Sequence, residues 1–539
     1  MKNRYLITKI LSIMLVCTVL VGHCTGCAKT EVMEAEVEET EEVSSQISIT
    51  KIAEYDSGVI NPDGGSSEIV QNNADTHMYY AVNGTTGTLD IIPREANKGT
   101  EIKYDLKGEL AKVENDFEYG DMTSVAVNEN SDLIAVAVQA ADTTENGRIV
   151  FMNYNNEIIS TIEVGVQPDN VIFTEDGGKV LSANEGEPRN GYGEENDPEG
   201  TISIIDLENG VDSAIVTEVT FEEFDSEEAR NKLIEDGIII KKETNPSNDF
   251  EPEYITINGE RAYVSLQEAN AIAVIDIEEA RIISINSLGF KDHNIEVNAL
   301  DLADDGKVNI KTENVYGIYM PDAISSFTKD GKTYLVTANE GDSREWGNEE
   351  SEQFHCNEKK ITDINGEKVT VFDTSEYDGL EMDQTYIFGG RSFSIYEVNL
   401  DGTMYQVFDS GSDFERITAD RLPEYFNCSN DDIELDSRSG KKGPEAEGVV
   451  IGKVNDKMYA FIGIERIGGI MIYDITNPEN TSFVHYINSR DFTTDIAGDV
   501  SPEGIDYVSS SESVSGNAEI IVSHEVSGTV AIYEIKELN

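Results

Sequence analysis

The sequence predicts an all-β protein: a β-propeller of seven blades, with a short helical insertion and long surface loops. Short β-branched and aromatic runs bounded by Gly, Pro and Asp have strand periodicity and not helix periodicity. A turn-strand motif also returns at intervals of roughly 50 to 80 residues, which suits about four strands per unit and is typical of propellers. We therefore expect one closed ring and not several domains, in spite of the length of 539 residues.

The motif is clearest at residues 443–474, GPEAEGVVIGKVNDKMYAFIGIERIGGIMIYD. Residues 449–451, 458–464 and 470–473 are predicted strands. The same pattern recurs along the chain: a strand is followed by an acidic or amide residue, then by Gly or Ala, and then by another strand. It occurs at Asn83, Gln139, Asn184 with Glu185, Gln267 with Glu268, Asn339 with Glu340, Glu465, and His524 with Glu525. These seven places predict seven blades, and we expect the two ends of the chain to meet in one blade.

Two segments are predicted to interrupt the ring. Residues 221–236 are predicted to form a short surface helix with Asp225 as N-cap, Glu228 three residues later and Gly237 just past its end. Residues 345–383 are predicted to form a long loop, which either covers one mouth of the ring or is a surface decoration.

The N terminus is predicted to direct export. Basic residues precede an apolar run at 10–21, which is too short for a transmembrane helix and has the length of a signal-peptide core. The run is followed by CTGC, which resembles a bacterial lipoprotein signal with Cys27 as the acylated residue; simple secretion is the alternative. Cys356 and Cys428 would then remain in the folded part, either paired or free. We predict a signal peptide at 1–26, an acidic flexible tether at 27–46 and the propeller at 47–539, lipid-anchored on the extracytoplasmic face of the cell membrane.

The chain is strongly acidic. Its 105 Asp and Glu residues against 39 Lys and Arg give a formal net charge of −66. Such a surface repels the phosphates of nucleic acids and attracts cations, so we expect no nucleic-acid partner. The acidity either reflects the solubility of an extracellular protein or serves cation binding. The six histidines are scattered without HExxH spacing, so no zinc site is predicted.

A second repeated element places a carboxylate just before an inner strand. It occurs in QPDNV, EPEYI, MPDAI, GPEAEGV and SPEGI, and the acidic turn follows roughly 15 to 22 residues later, enough for one strand out and one back. Both turns of a blade should lie on the same face of the ring. Ten carboxylates are therefore predicted at one channel mouth, in the pairs Asp169 and Glu185, Glu253 and Glu268, Asp322 and Glu340, Glu447 and Glu465, and Glu503 and Glu525. Their oxygens suit Ca²⁺ or another divalent cation; alternatively, each acid accepts hydrogen bonds from backbone N–H groups in its turn.

Four arginines lie in or beside these motifs, although arginine is scarce: Arg189, Arg344, Arg391 and Arg466. A planar guanidinium at a metal-lined mouth would bind an anionic substrate such as a phosphoester. The alternative is that each arginine pairs with an adjacent Glu and holds the turn.

These motifs resemble those of the choice-of-anchor I family, which is similar to mesenchyme-specific cell surface glycoproteins and to alkaline-phosphatase-like propellers. The matching segments include ANEGEPR, EPEYITI, YMPDAI, TANEGDSR, FGGRSFSIY, GPEAEGV and SGTVAIYEI, and the match runs from about residue 47 to the end. The resemblance implies a secreted or surface-anchored propeller, with a lipid at Cys27 as this chain's anchor. It identifies no catalytic residue.

Two functions are open from the sequence. The first is a surface binding or adhesion module that holds divalent cations at the acidic mouth and takes an anionic small molecule or a cell-surface ligand. The second is a Ca²⁺-dependent phosphoesterase, similar to alkaline phosphatase or phytase, in which metal-activated water attacks phosphorus. In that case Arg189, Arg344 or Arg466 would hold the phosphate oxygens.

Overall fold

The computed structural model describes residues 47–94, 100–193, 196–347, 354–364 and 366–538. The predicted signal peptide, the predicted lipidation of Cys27 and the whole predicted acidic tether lie outside the described residues. Within them, seven four-stranded sheets carry the fold, and we number these sheets as blades 1 to 7 in chain order.

The blades are built from strands that follow one another in the chain, except where insertions interrupt blade 5 and where blade 7 takes in the first strand. The blade strands are β1 (Ile47–Asp56); β2 (Val70–Asn73), β3 (Met78–Asn83), β4 (Thr88–Pro93) and β5 (Ile102–Tyr104) in blade 1; β6 (Tyr119–Asn128), β7 (Leu133–Ala140), β8 (Asn146–Asn153) and β9 (Ile158–Val166) in blade 2; β10 (Pro168–Phe173), β11 (Lys179–Asn184), β12 (Thr201–Asp206) and β13 (Ile215–Thr220) in blade 3; β15 (Pro252–Asn258), β16 (Arg261–Leu266), β17 (Ala271–Asp276) and β18 (Arg281–Ser287) in blade 4; β21 (Ile324–Lys329), β22 (Lys332–Asn339), β29 (Ser392–Val398) and β30 (Met404–Asp409) in blade 5; β31 (Ala446–Val454), β32 (Lys457–Ile464), β33 (Ile470–Asp474) and β34 (Ser482–Ile487) in blade 6; and β35 (Pro502–Val508), β36 (Ala518–His524) and β37 (Thr529–Glu537), with β1, in blade 7. Between blades lie β14 (Ile240–Lys241), β19 (Phe290–Asp292) and β20 (Tyr316–Ile318), and within blade 5 lie β23 (Glu345–Trp346), β24 (His355–Cys356), β25 (Glu358–Ile364), β26 (Glu367–Phe372), β27 (Tyr377–Asp378) and β28 (Tyr386–Phe388).

The first strands of the blades contact one another in a closed cycle. Contacts join β2 to β6, β6 to β10, β10 to β15, β15 to β21, β21 to β31, β31 to β35, and β35 to β2. The ring is closed by β1, which pairs antiparallel with β37 from Ile47 opposite Glu537 to Asp56 opposite Thr529. The two ends of the described chain therefore meet in one blade, as the sequence predicted, and the fold is a β-propeller.

The core lies between neighbouring blades. All eight residues of β7 and all seven of β36 are buried, because a central strand is covered by a blade on each side. Phe151 of blade 2 packs edge-on against Phe173 of blade 3, with 6.5 Å between ring centroids. A strand covered on both faces needs no polar alternation, which accounts for the continuous apolar runs in the sequence.

Helices occur only in connecting segments of the described chain. They are α1 (Leu106–Val113), α2 (Glu227–Glu235), α3 (Pro246–Asp249) and α4 (Asp413–Arg421), with 3₁₀ turns at Val211–Ser213, Glu222–Phe224, Glu296–Asn298, Thr374–Glu376 and Pro478–Asn480. Among the described residues, none of these helices has the length and apolar character needed to cross a bilayer.

The helix predicted at 221–236 is present as α2, but its predicted N-cap is wrong. Ser226 caps the helix, with its hydroxyl accepting from the Ala229 N–H at 3.2 Å. The carboxylate of Asp225 instead accepts from the N–H and the hydroxyl of Ser247, at 3.0 and 2.8 Å. Because its carboxylate is bound to Ser247 of α3, Asp225 connects the segment before α2 with α3. The neighbouring residue, Ser226, is therefore the N-cap.

The described part of the long loop at 345–383 forms two small hairpins, β23 with β24 and β25 with β26. Val369 of β26 is buried in a cluster with Leu300. Trp346, at the start of the loop, lies beside Arg189, with 5.9 Å from the guanidinium carbon to the ring centroid. Cys356 and Cys428 are both free thiols.

Candidate metal centre

Five of the ten predicted carboxylates follow second strands, and the other five lie where inner strands begin. In blades 3, 4, 6 and 7 the pairing of the first two strands shifts register at this point. In blade 6 the shift falls between Ala446 and Val449, and it contains Glu447. A bulge redirects the side chain that it carries. The repeated motif thus turns a carboxylate out of the sheet at the same place in several blades.

Carboxylates from different blades converge in two groups. Ligand atoms of Asp322, Glu447 and Glu503 lie within 4.8 Å of one another, and these residues begin blades 5, 6 and 7; we call them the first triad. Ligand atoms of Glu340, Glu447 and Glu465 lie within the same limit and form the second triad. Ca²⁺ bonds to oxygen at about 2.4 Å, so one ion fits among oxygens separated by up to about 4.8 Å.

The five predicted pairs are electrostatic neighbours in the structure. Within each pair, one carboxylate raises the pKa of the other, after the larger effect of burial: Asp169 with Glu185, Glu253 with Glu268, Asp322 with Glu340, Glu447 with Glu465, and Glu503 with Glu525. Pairs in neighbouring blades also influence one another, since Asp169 and Asp322 both raise the pKa of Glu253. All ten carboxylates therefore belong to one acidic region, which we call the acidic mouth.

Burial and mutual repulsion raise the pKa values of this region. Burial, with further contributions from neighbouring carboxylates, raises the pKa of Glu340 and of Glu465 to about 8. The pKa of Asp169 is raised to about 7 by burial and by Glu187. The pKa values of Glu447 and Glu503 lie well above their ordinary range for the same reasons. A bound cation would favour the ionised forms, because it supplies the opposite charge that these carboxylates lack.

Several carboxylate oxygens in and beside the acidic mouth are buried and have no hydrogen-bond partner among the described residues. They are Oε2 of Glu68, Glu253, Glu268, Glu447 and Glu465. Glu268 and Glu465 are only 6% and 4% exposed. Backbone N–H groups in the turns thus leave these oxygens unsatisfied. A buried unpaired carboxylate oxygen is costly, so the arrangement suits a ligand that supplies positive charge.

Two residues of this region were not predicted. Glu68 begins blade 1, and burial together with Asp121 and Glu525 raises its pKa well above the ordinary value. It stands two residues before buried Val70, as Glu447 stands before Val449, and this spacing was the available signal. Lys442 forms an ion pair with Asp342 and lies 3.9 Å from Glu340. No local pattern identifies Lys442, because its partners lie in another blade.

Arg189 and Arg466 lie at the acidic mouth, where each pairs with carboxylates. Arg189 pairs with Glu187 at 2.6 Å and Glu185 at 3.0 Å. Arg466 pairs with Glu465 at 2.7 Å and Glu445 at 2.8 Å. Both arginines therefore pair with adjacent acids, as the sequence alternative expects of arginines that hold their turns.

Arg344 and Arg391 are placed elsewhere, in buried ion pairs. Arg344 is 1% exposed and pairs with Asp249 at 2.6 Å and with Glu251 at 3.3 Å. Arg391 is 2% exposed and pairs with Glu415 at 2.7 Å. It also donates to the backbone carbonyls of Asp301, Ser439 and Lys441. The prediction that these two arginines hold a substrate is not supported by this geometry, because their donors are directed to buried protein acceptors.

Both triads consist of carboxylates alone, without histidine or cysteine. Hard oxygen ligands of this kind suit Ca²⁺, Mg²⁺ or Mn²⁺, whereas Zn²⁺ sites usually use nitrogen and sulfur. The donor set and its separations therefore fit Ca²⁺.

Two curated relatives are similar to part of the chain. Gigasin-3a from Magallana gigas is 28% identical over 172 residues, which cover 29% of this chain and 60% of the relative. Mesenchyme-specific cell surface glycoprotein from Strongylocentrotus purpuratus is 26% identical over 285 residues, which cover 44% of this chain and 36% of the relative. The chain thus matches less than two thirds of the length of each relative.

Solved structures with a similar course of the chain share little sequence with it. Hydrazine synthase from Kuenenia stuttgartiensis is 11% identical with a TM-score of 0.43, covering 89% of this chain and 98% of that one. The Cps50 (Swd1) β-propeller domain from Myceliophteria thermophila is 8% identical with a TM-score of 0.45, covering 91% of this chain and 100% of that one.

One family profile matches most of the ring. The profile of the choice-of-anchor I domain matches residues 68–478. The match begins at Glu68, where blade 1 begins, and ends in blade 6, so it includes Glu340, Glu447 and Glu465 of the second triad. The chain belongs to the choice-of-anchor I domain family.

Proposed function

We propose that this protein is a surface binding module whose propeller holds Ca²⁺ at the acidic mouth. The observation that carries the proposal is the convergence of Glu340, Glu447 and Glu465, with an oxygen of both Glu447 and Glu465 buried and unpaired. If these acids served only to hold their turns, these oxygens would accept hydrogen bonds from backbone N–H groups. A divalent cation supplies the missing partner.

A place at the cell surface is supported by the family and by the sequence. The chain belongs to the choice-of-anchor I domain family, and one similar relative bears the name of a cell surface glycoprotein. The predicted export signal and the proposed lipid at Cys27 agree with this location. The strongly acidic surface suits a protein outside the cell, where Ca²⁺ is abundant.

Binding is favoured over phosphoester hydrolysis because the arginines at the acidic mouth are already in ion pairs. A phosphate would need a cationic group free to receive its oxygens. Arg466 already pairs with two glutamates, and so does Arg189. The cation itself is therefore the group best placed to receive an anionic small molecule or an acidic cell-surface ligand.

Thermal unfolding with and without Ca²⁺ tests the proposal. After treatment with EDTA, addition of Ca²⁺ is expected to raise the melting temperature. At a concentration 100 times the Kd, Ca²⁺ should raise the free energy of unfolding by about 2.7 kcal/mol. Glu447→Gln is expected to abolish the rise, because Glu447 belongs to both triads.

Glu208→Gln is the matched control, since Glu208 is exposed in a turn and should leave the rise unchanged. No response of the unmodified protein to Ca²⁺, Mg²⁺ or Mn²⁺ would contradict cation binding. Hydrolysis of p-nitrophenyl phosphate that is lost with Glu447→Gln would replace the binding role with that of a phosphoesterase.

A further inference from the structure

We infer that the acidic mouth holds two adjacent divalent cations, one in each triad, with Glu447 as the ligand common to both. This inference rests on the proposed function and specifies its stoichiometry. The two triads have only Glu447 in common, and their other members differ: Asp322 and Glu503 in the first, Glu340 and Glu465 in the second.

The geometry of a carboxylate allows this sharing. Glu447 has two oxygens, and each can bind a different ion, as in two-metal sites with ions about 3.5 to 4 Å apart. Its Oε2 is buried and has no hydrogen-bond partner among the described residues. The flanking ligands come from two kinds of turn: Asp322 and Glu503 begin inner strands, whereas Glu340 and Glu465 follow second strands.

Glu465 is an independent indication of a ligand in the second triad. It is 4% exposed, and its Oε1 accepts from the amide of Asn430 at 2.9 Å and pairs with Arg466 at 2.7 Å. These contacts fix the orientation of the carboxylate. Its Oε2 is left buried and unpaired, so it is pre-positioned to bind a cation.

The local charge also favours more than one divalent cation. The two triads together carry five carboxylates, Asp322, Glu340, Glu447, Glu465 and Glu503. Arg466 is shared between Glu465 and Glu445, and Lys442 is shared between Glu340 and Asp342. Two divalent cations would offset most of the charge of the five ionised carboxylates, whereas one would offset only part of it.

The two positions should differ in affinity. Lys442 lies 3.9 Å from Glu340, and Arg466 lies 2.7 Å from Glu465, so the second triad stands next to positive charge. No Lys or Arg pairs with Asp322, Glu447 or Glu503 among the described ion pairs. Positive neighbours repel a cation. The first triad therefore fills at lower Ca²⁺ concentration, and the second fills after it.

Counting bound ions tests this inference on the purified full chain. Equilibrium dialysis against Ca²⁺, followed by elemental analysis, is expected to give two ions per chain in two steps. Asp322→Asn should remove the tighter step, Glu465→Gln should remove the weaker one, and Glu447→Gln should remove both. Glu208→Gln should retain both, and near-ultraviolet circular dichroism checks that each variant is folded.

The outcomes separate this inference from the proposed function. One ion in the unmodified protein overturns the shared centre and leaves cation binding intact, whereas no bound ion overturns both. Loading with equal amounts of Tb³⁺ and Eu³⁺ checks that the ions are adjacent, because energy transfer should shorten the Tb³⁺ luminescence lifetime. Two bound ions without such transfer would place them apart and overturn the sharing of Glu447.

Discussion

Replacement of Arg344 by Met is expected to lower the free energy of unfolding by about 3 to 5 kcal/mol. Arg344 is almost fully buried, and it neutralises Asp249 and Glu251, which are also buried. Removing one partner of such a pair leaves an uncompensated charge in the protein interior. Methionine fills a similar volume, so the loss reports the missing charge and not a large cavity.

Urea or thermal unfolding measures this effect, and Arg281→Met is the matched control. Arg281 pairs with Asp276 at 3.5 Å on the surface, with 59% of its side chain exposed, and such pairs contribute less than about 1 kcal/mol. Equal stability of the two variants would contradict the structural role of Arg344. It would favour the alternative prediction, that Arg344 binds a substrate.

Without divalent cations, the protein is expected to become less stable as the pH rises from 6.5 to 8. Burial, with contributions from neighbouring charges, raises the pKa of Glu340 and Glu465 in the folded protein to about 8, above the ordinary value of 4.5. The folded state therefore binds more protons than the unfolded state, so its stability falls with pH. Each such group contributes up to about 1.4 kcal/mol per pH unit. Below pH 6.5 the buried histidines His293 and His524, whose pKa values are lowered by burial, add an opposite dependence.

Melting temperatures measured in EDTA across this interval check the expectation. Ca²⁺ should remove most of the decline, since the cation stabilises the ionised carboxylates. Glu465→Gln should flatten the pH profile without Ca²⁺, and the surface variant Glu208→Gln should leave it unchanged. Stability that did not change with pH in EDTA would show that these carboxylates are already ionised in the folded protein without any cation.

The propeller and its ten mouth carboxylates could be predicted because both depend on local patterns that recur. The strands predicted at 449–451, 458–464 and 470–473 all lie within β31, β32 and β33. A carboxylate fixed to the start of an inner strand is carried to the same mouth in each blade, so Glu447 and Glu503 meet although the sequence separates them. Whether these carboxylates bind a cation stays a prediction.

The partners of individual side chains could not be predicted. Arg344 and Arg189 occupy the same place in two copies of NEGxxR, yet Arg344 lies in a buried ion pair with Asp249 and Arg189 lies at the mouth. Asp225 has the residue type of an N-cap, but its partner is Ser247 in another helix. Such choices depend on contacts between distant segments, and a repeated motif gives no information about them.

The first triad also bears on how long the folded ring persists. Asp322, Glu447 and Glu503 begin three different blades, and blade 7 is complete only when β1 joins β37. Side chains so distant along the chain come together late, because each long loop must close before their contacts form. An ion held by them stabilises the native state and not the folding transition state. Bound Ca²⁺ would thus slow unfolding and leave the folding rate unchanged, so it would extend the lifetime of the folded ring.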